Sequence, residues 1–229
     1  MESNVGALRR LAHVDDPRSL ANRFRGQRFA RFDQLAARLR RPLRLLDVGG
    51  TPQFWAQRGW SGRDDVDITV LNAMPFDIAG PNICVEVGDA ADLSRWSDDA
   101  FDVVFSNSVI EHLFTLRRQA AMAAEVDRVG QAFWVQTPSQ HFPVEPHFLV
   151  PGWQWLPEDL RVAWLRRRRV GWRGPFRNPD EARRMVREVR LLTRRELSGL
   201  FPGATLLPER VAGVVKSWVA YGGFPLQAA

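Results

Sequence analysis

Three groups of residues in this chain carry side chains or backbone able to do chemistry. The first is the stretch "LRLLDVGGTPQFW", residues 43 to 55, in which an apolar run ends in Asp47 and is followed by Gly49, Gly50, Thr51 and Pro52. A glycine pair after a buried strand lets the backbone approach a ligand where a Cβ would collide. The second group closes the next apolar runs: Asn72, then Gly88, Asp89 and Ala90, then Ser106 and Asn107. Ligands of open parallel sheets bind beyond the carboxyl ends of the strands, so polar residues at four successive ends describe one crevice. The third group pairs imidazole with carboxylate: His112 beside Glu111, and His141, Glu145 and His147 within "HFPVEPHF". Such pairs suit a general base acting near neutral pH. Glu111 and His112 read equally well as polar residues of a first helical turn. Metal ligation by the group at 141 to 147 needs a further ligand that the sequence does not single out, so no metal site is expected.

These residues must be held by the elements around them. Apolar runs of strand length recur at residues 43–48, 66–71, 83–87, 101–107 and 132–137, with segments of helical character between them. Near-continuous apolar strands alternating with helices imply an α/β fold, a mostly parallel sheet covered on both faces. A helix is expected from about Ile110 to Val129, burying Leu113, Leu116, Ala120, Ala123 and Ala124 and ended by Gly130. Thr193 and Glu196 form a capping box opening a short helix that stops before Pro202. Two last runs, "ATLLPERV" and "VVKSWVAYG", are separated by Ala212 and Gly213 alone, which forces them antiparallel.

With 229 residues and 45% apolar content, one sizeable core is expected. The parts are an N-terminal helical cover (1–41, with Phe24, Phe32, Leu35 and Leu39 among arginines), a cofactor-binding core (42–137), a lid or substrate insertion (138–180) and the C-terminal part of the sheet (181–229). The long proline- and tryptophan-rich insertion is of a kind that more often binds substrate than idles. No run of about 18 apolar residues occurs, and the N-terminus lacks the apolar stretch of a secretory signal, so a cytoplasmic location is expected. The single cysteine, Cys84, excludes a disulfide framework and reads as a small buried hydrophobe. The net charge of +6 comes almost wholly from arginine, since Lys216 is the only lysine. Three readings stay open for "AWLRRRRVGW": a solvated helix face with its indoles inward, an anionic-membrane contact, or phosphate recognition by arginines between Trp164 and Trp172.

The strings "LLDVGG", "VGDAADL", "FDVVFSNSVIEHL" and "VQTPSQHFPVEPHF", closed by "LLPERVAGVVKSWVAYGG", resemble the class I S-adenosylmethionine-dependent methyltransferases, in particular the methyltransferase type 11 group. The resemblance spans roughly residues 43 to 221 and implies a Rossmann-like doubly wound sheet with an antiparallel C-terminal edge strand. It implies S-adenosylmethionine as cofactor and S-adenosylhomocysteine as product. Gly49 and Gly50 would lie against the methionine part, and Asp47 would hold its ammonium through water. Asn72 would stand where an acid usually takes the ribose hydroxyls. Asp89 and the Ala90 N–H would meet the adenine, and Asn107 would lie under the methionine. Thr51 departs from the family's second loop glycine. His112, Glu145 and His147 are the catalytic candidates, acting on a small-molecule or lipid-like acceptor, with a hydroxyl favoured because a histidine base would serve it. Peripheral membrane contact through the arginine-tryptophan segment fits a lipophilic acceptor. Nucleic acid is disfavoured, because "SNSV" is not the Asn-Pro-Pro-aromatic motif of amino-methylating DNA enzymes. A nicotinamide enzyme fails Gly-x-Gly-x-x-Gly at Thr51 and Phe54 and lacks its acid at Asn72. A non-catalytic scaffold or cofactor sensor, and a basic adaptor for RNA or membrane, are the alternatives from other classes.

Overall fold

The computed structural model describes residues 20–76, 80–171 and 173–226. Its centre is a seven-stranded sheet of β1 (Leu43–Val48), β2 (Val66–Asn72), β3 (Ile83–Val87), β4 (Val103–Asn107), β5 (Phe133–Pro138), β6 (Thr205–Val211) and β7 (Val214–Gly222). The spatial order is β3-β2-β1-β4-β5-β7-β6. The first five strands are parallel, and β7 runs antiparallel between β5 and β6. The two-residue turn at Ala212 and Gly213 has positive φ at both positions (48° and 81°), which matches the twist of a tight hairpin. Chain order reverses between β1 and β4, so the crevice lies beyond their carboxyl ends.

Alternation along the strands sorts side chains onto two faces. Leu43 and Leu45 of β1 join Val103 and Phe105 of β4, Trp134 of β5 and Val219 of β7 on one face. Helix α1 (Leu20–Ala36) covers it with Phe29 and Phe32, and short α2 (Pro52–Gln57) adds Trp55. On the other face Leu46, Val48, Val104 and Val135 pack with Met122, Ala123 and Val126 of α3 (Leu116–Val129) and Leu197 of α6 (Arg194–Leu200). The expected capping box at α6 is present, with Thr193 and Glu196 exchanging bonds. The N-terminal cover is helical from Leu20; its residues 1–19 lie outside the described residues, as does Trp172. Between β5 and α6, helices α4 (Glu158–Arg167) and α5 (Pro179–Arg187) gather Phe148, Trp153, Val162, Leu165, Val170, Ala182 and Val186 into a separate apolar cluster. Trp164 packs partly against it, while Arg166 to Arg169 are exposed.

Several expectations need correction. The helix expected from Ile110 is split: a 3-10 turn (Ile110–His112) precedes α3, whose N-cap is Thr115. The buried face of α3 is Gln119, Met122, Ala123, Val126 and Val129, and Leu116, Ala120 and Ala124 are exposed. Gly130 ends α3 in an extended conformation (φ −115°), not as a left-handed cap; its added Cβ would stand 2.6 Å from Val104 Cγ2. Cys84 is exposed, because β3 is an edge strand.

Candidate functional site

The glycine loop is built by what lies beneath it. Asp47 shares the β1 face of Leu43 and Leu45, so its carboxyl points inward, where the Trp55 indole N–H donates to Oδ2 at 2.7 Å. Its Oδ1 is buried with no hydrogen-bond partner. Burial pushes the Asp47 carboxyl up to about 7, against the opposing effect of the Trp55 bond. Gly50 closes directly over this carboxylate, and a Cβ there would fall 1.6 Å from Oδ2. Gly49 has φ 79°, and its Cβ would meet Val109 Cγ2 at 2.4 Å. Both positions require glycine. Thr51 does not: its φ of −136° is ordinary extended backbone, and its hydroxyl caps α2 by accepting from Phe54 N at 3.3 Å, with Pro52 next in the first turn. The departure from the family's glycine is thus a helix cap.

Asn72 Nδ2 donates to Gly50 O (2.8 Å) and its Oδ1 accepts from Met74 N (3.1 Å), so the side chain pins the loop and keeps one lone pair for a ligand. Asp89 is half-exposed and accepts from Ala91 N at 2.9 Å and from Arg118 Nη2 at 2.7 Å. The Arg118 guanidinium holds its carboxyl below the usual range. Ala90 packs at the edge of the α3-side core.

Two further polar clusters cap the strand ends, one on each face. On the α1 face stand Asn107 of β4, Gln136 of β5, Ser217 of β7 and Glu209 of β6. Arg28 of α1 reaches all but Ser217, donating to Asn107 Oδ1, to Gln136 Oε1 (2.8 Å) and through Nε (2.9 Å) and Nη2 (2.6 Å) to Glu209. The Ser217 hydroxyl donates to Glu209 as well. Burial disfavours the Glu209 carboxylate, but Arg28 outweighs it and holds the group below its usual value. Lys216 is lowered to about 8, first by burial and then by Arg28. Nothing in the sequence reading singled out Arg28, Gln136, Glu209 or Ser217. Arg28 does lie at helical spacing between Phe24 and Phe32, on the covering face of α1.

On the opposite face the 3-10 turn after β4 meets the chain after β5. Thr137 of β5 donates to Glu111 Oε2 at 3.0 Å, and Glu111 Oε1 is buried without a partner. Burial raises the Glu111 carboxyl to about 7. Glu145 is 2% exposed and accepts from His147 N (2.8 Å), Phe148 N (2.7 Å) and the His147 ring Nδ1, 2.5 Å away. Burial opposes protonation of His147, but Glu145 prevails and its pKa stands above the ordinary value. The His112 and His147 rings meet edge to face, 4.8 Å between centroids. Burial, then His147, lowers His112 to about 4, leaving it neutral at pH 7. The fold therefore joins His112, Glu145 and His147 and adds Glu111. His141 stands apart, beside Thr193 and Ser198 at the surface. Behind Glu145 opens a cleft of about 190 Å³ lined by Gln140, Trp153, Gln154, Arg161 and Arg190.

Residues 69–132 match the family model described as a methyltransferase domain of type 11. That stretch, from β2 to the start of β5, is similar to a type 11 methyltransferase domain. Its fold is shared with the N-terminal domain of EvdMO1, a structure determined in the presence of SAH and D-fucose (TM-score 0.53, 15% identity, 87% of this chain and 82% of that one). It is also shared with a SAM-dependent methyltransferase from Aquifex aeolicus (TM-score 0.50, 12% identity, 96% and 97%). Against a Galdieria sulphuraria protein named for sarcosine dimethylglycine methylation, the match has a TM-score of 0.38 at 20% identity and covers 49% of this chain and 44% of that one. A comparison with curated proteins finds no match. Among the described residues, no helix is long and apolar enough to cross a membrane.

Proposed function

We propose that the protein is an S-adenosylmethionine-dependent methyltransferase that acts on a small-molecule or lipid-like metabolite, preferentially at a hydroxyl oxygen. The observation that carries this reading is the loop, two obligatory glycines folded over a buried Asp47 whose Oδ1 lacks a partner. Asp47 takes the methionine ammonium, the remaining Asn72 lone pair takes one ribose hydroxyl, and Asp89 with the Ala90 N–H takes the adenine. Bound, the sulfonium supplies a methyl group that is already activated, so the chain has to align and to move a proton. His147, oriented by Glu145, accepts the proton of a hydroxyl, and His112, whose pKa of about 4 leaves it neutral and weakly basic at pH 7, positions that hydroxyl.

Calorimetric titration with S-adenosylmethionine and S-adenosylhomocysteine tests the loop, and tritium transfer from labelled cofactor into metabolite extracts tests the activity. Micromolar binding lost by at least a hundredfold in Gly49→Val is expected, because the substitution meets both positive φ and Val109. Absence of binding to either ligand by the folded protein would sink the reading. A second reading, a cofactor-sensing or scaffold protein, is favoured by Arg118 on Asp89 and by the absence of a ribose acid. Tight cofactor binding without tritium transfer to any extract would select it. Exposed Trp155, Leu160 and Arg166 to Arg169 favour peripheral contact with an anionic membrane. Liposome binding that survives neutralisation of the four arginines would reject that contact.

A further inference from the structure

We propose that Glu111, His112 and His147 form a binding site for a divalent transition-metal ion beside the proposed cofactor crevice. One ligand atom from each residue lies within 4.8 Å of the others. Three features of the trio fit an ion better than a self-contained network. Glu111 is fully buried, and one of its oxygens is anchored by Thr137 while the other has no hydrogen-bond partner. An unpaired buried carboxylate oxygen is costly, and a bound cation removes that cost. Second, Glu145 accepts from the His147 ring at Nδ1, which places the ring proton there and leaves the lone pair of Nε2 free. A carboxylate behind a histidine is the usual support of a metal-ligating imidazole. Glu145 is itself fixed by two backbone N–H groups, so the orientation of His147 is set before any ion arrives. Third, among the described residues the His112 ring makes no hydrogen bond; its nearest acid there, Glu188 Oε1, is 4.0 Å from Nδ1.

Two imidazoles and one carboxylate suit Zn²⁺, Co²⁺, Mn²⁺ or Fe²⁺ and match Mg²⁺ or Ca²⁺ poorly. At ordinary metal–ligand lengths the donors of a tetrahedral site stand roughly 3.3 Å apart, so the trio must contract. His112, whose side chain is 31% exposed, has the freedom to rotate inward. Three protein ligands leave open positions for water or an oxygen of a substrate. The turn bearing Glu111 and His112 begins at Val109, which packs on Gly49 of the loop. An acceptor oxygen on the ion would thus lie at the loop's end of the sheet, where the ion, in place of the two imidazoles, would ease the loss of the hydroxyl proton; that role rests on the proposed methyl transfer, whereas metal binding itself does not.

The test is titration of the untagged, chelator-treated full chain with Co²⁺, followed by its visible absorption. One equivalent bound with ligand-field bands is expected. Glu111→Gln and His112→Gln should each weaken binding by at least a hundredfold, and Glu145→Gln by about ten- to a hundredfold. His112→Gln, at a partly exposed side chain, keeps the test open if a buried variant fails to fold. No stoichiometric binding, or binding unchanged in the folded variants, would overturn the proposal. Titration of the same preparations with S-adenosylhomocysteine separates the two readings. Co²⁺ without S-adenosylhomocysteine binding retains the metal site and removes the cofactor, and the reverse removes the metal site alone.

Discussion

The two clusters that cap the strand ends differ in how far they satisfy themselves. On the α1 face Arg28 donates to Asn107, Gln136 and Glu209, and Glu209 accepts from Ser217 as well. On the opposite face, among the described residues, Glu111 keeps a buried oxygen without a partner and the His112 ring meets no acceptor at hydrogen-bond distance. Satisfied buried networks hold structure, while unsatisfied buried groups store a cost that a ligand can relieve. The first cluster therefore clamps α1 to three strands, with β7 joined through Glu209, and the second is the place to look for chemistry. Asp47 belongs with the second kind.

The largest effect that would break this contrast is expected at Arg28. Arg28→Ala leaves Glu209 buried with no guanidinium beside it, at a cost of about 3–5 kcal/mol. Urea unfolding measures it. A loss below about 1 kcal/mol would mean that the clamp holds nothing.

The acids of the unsatisfied kind predict a pH dependence of opposite cause. Asp47 and Glu111 both rise to about 7 from 3.8 and 4.5, so the folded protein binds protons that the unfolded chain has released. Stability is fully present below about pH 4 as far as these groups are concerned, is lost as pH rises from there to about 7, and is flat above that. Each shift corresponds to roughly 3–5 kcal/mol at its limit. Asp47→Asn and Glu111→Gln should each flatten the fall between about pH 4 and 7, and their urea midpoints at pH 8 should exceed that of the parent. If both variants track the parent across that range, neither acid is held protonated by burial.

How much of this contrast was legible in the sequence depends on how far apart its parts lie. The strands could be read because they are nearly continuous apolar runs, and the loop because Asp47, Gly49 and Gly50 are adjacent. Cys84 was misjudged because an apolar run does not announce an edge strand. The face of α3 was misjudged because the helix starts at Leu116 rather than Ile110, which rotates its register. Arg28 was hidden among many arginines, and only its place between Phe24 and Phe32 hinted at burial. The meeting of Glu111 and His112 with His147 depends on the path of the insertion after β5, which no local pattern encodes. Local motifs are written in neighbouring residues; clusters drawn from separate strand ends are written in the topology.

A smaller effect sharpens the view of the loop as one object with its acid. Gly50→Ala drives a Cβ into the Asp47 carboxylate and should cost about 1–3 kcal/mol. In an Asp47→Ala background that cost should largely vanish, a coupling that a double-mutant cycle in urea reads directly. Additive losses would place the strain in the backbone instead.

The smallest effect addresses the residue that departs from the family's pattern. Thr51 is in an extended conformation and caps α2, so Thr51→Ala should cost about 1 kcal/mol of stability through the lost cap, and Thr51→Gly a few tenths. Affinity for S-adenosylhomocysteine should change by less than about twofold in either variant, because neither Gly49 nor Gly50 is disturbed. If glycine at 51 instead raised affinity tenfold, the threonine would be obstructing the ligand, and the loop would have to be understood as a compromised version of the family's rather than one closed by a different helix cap.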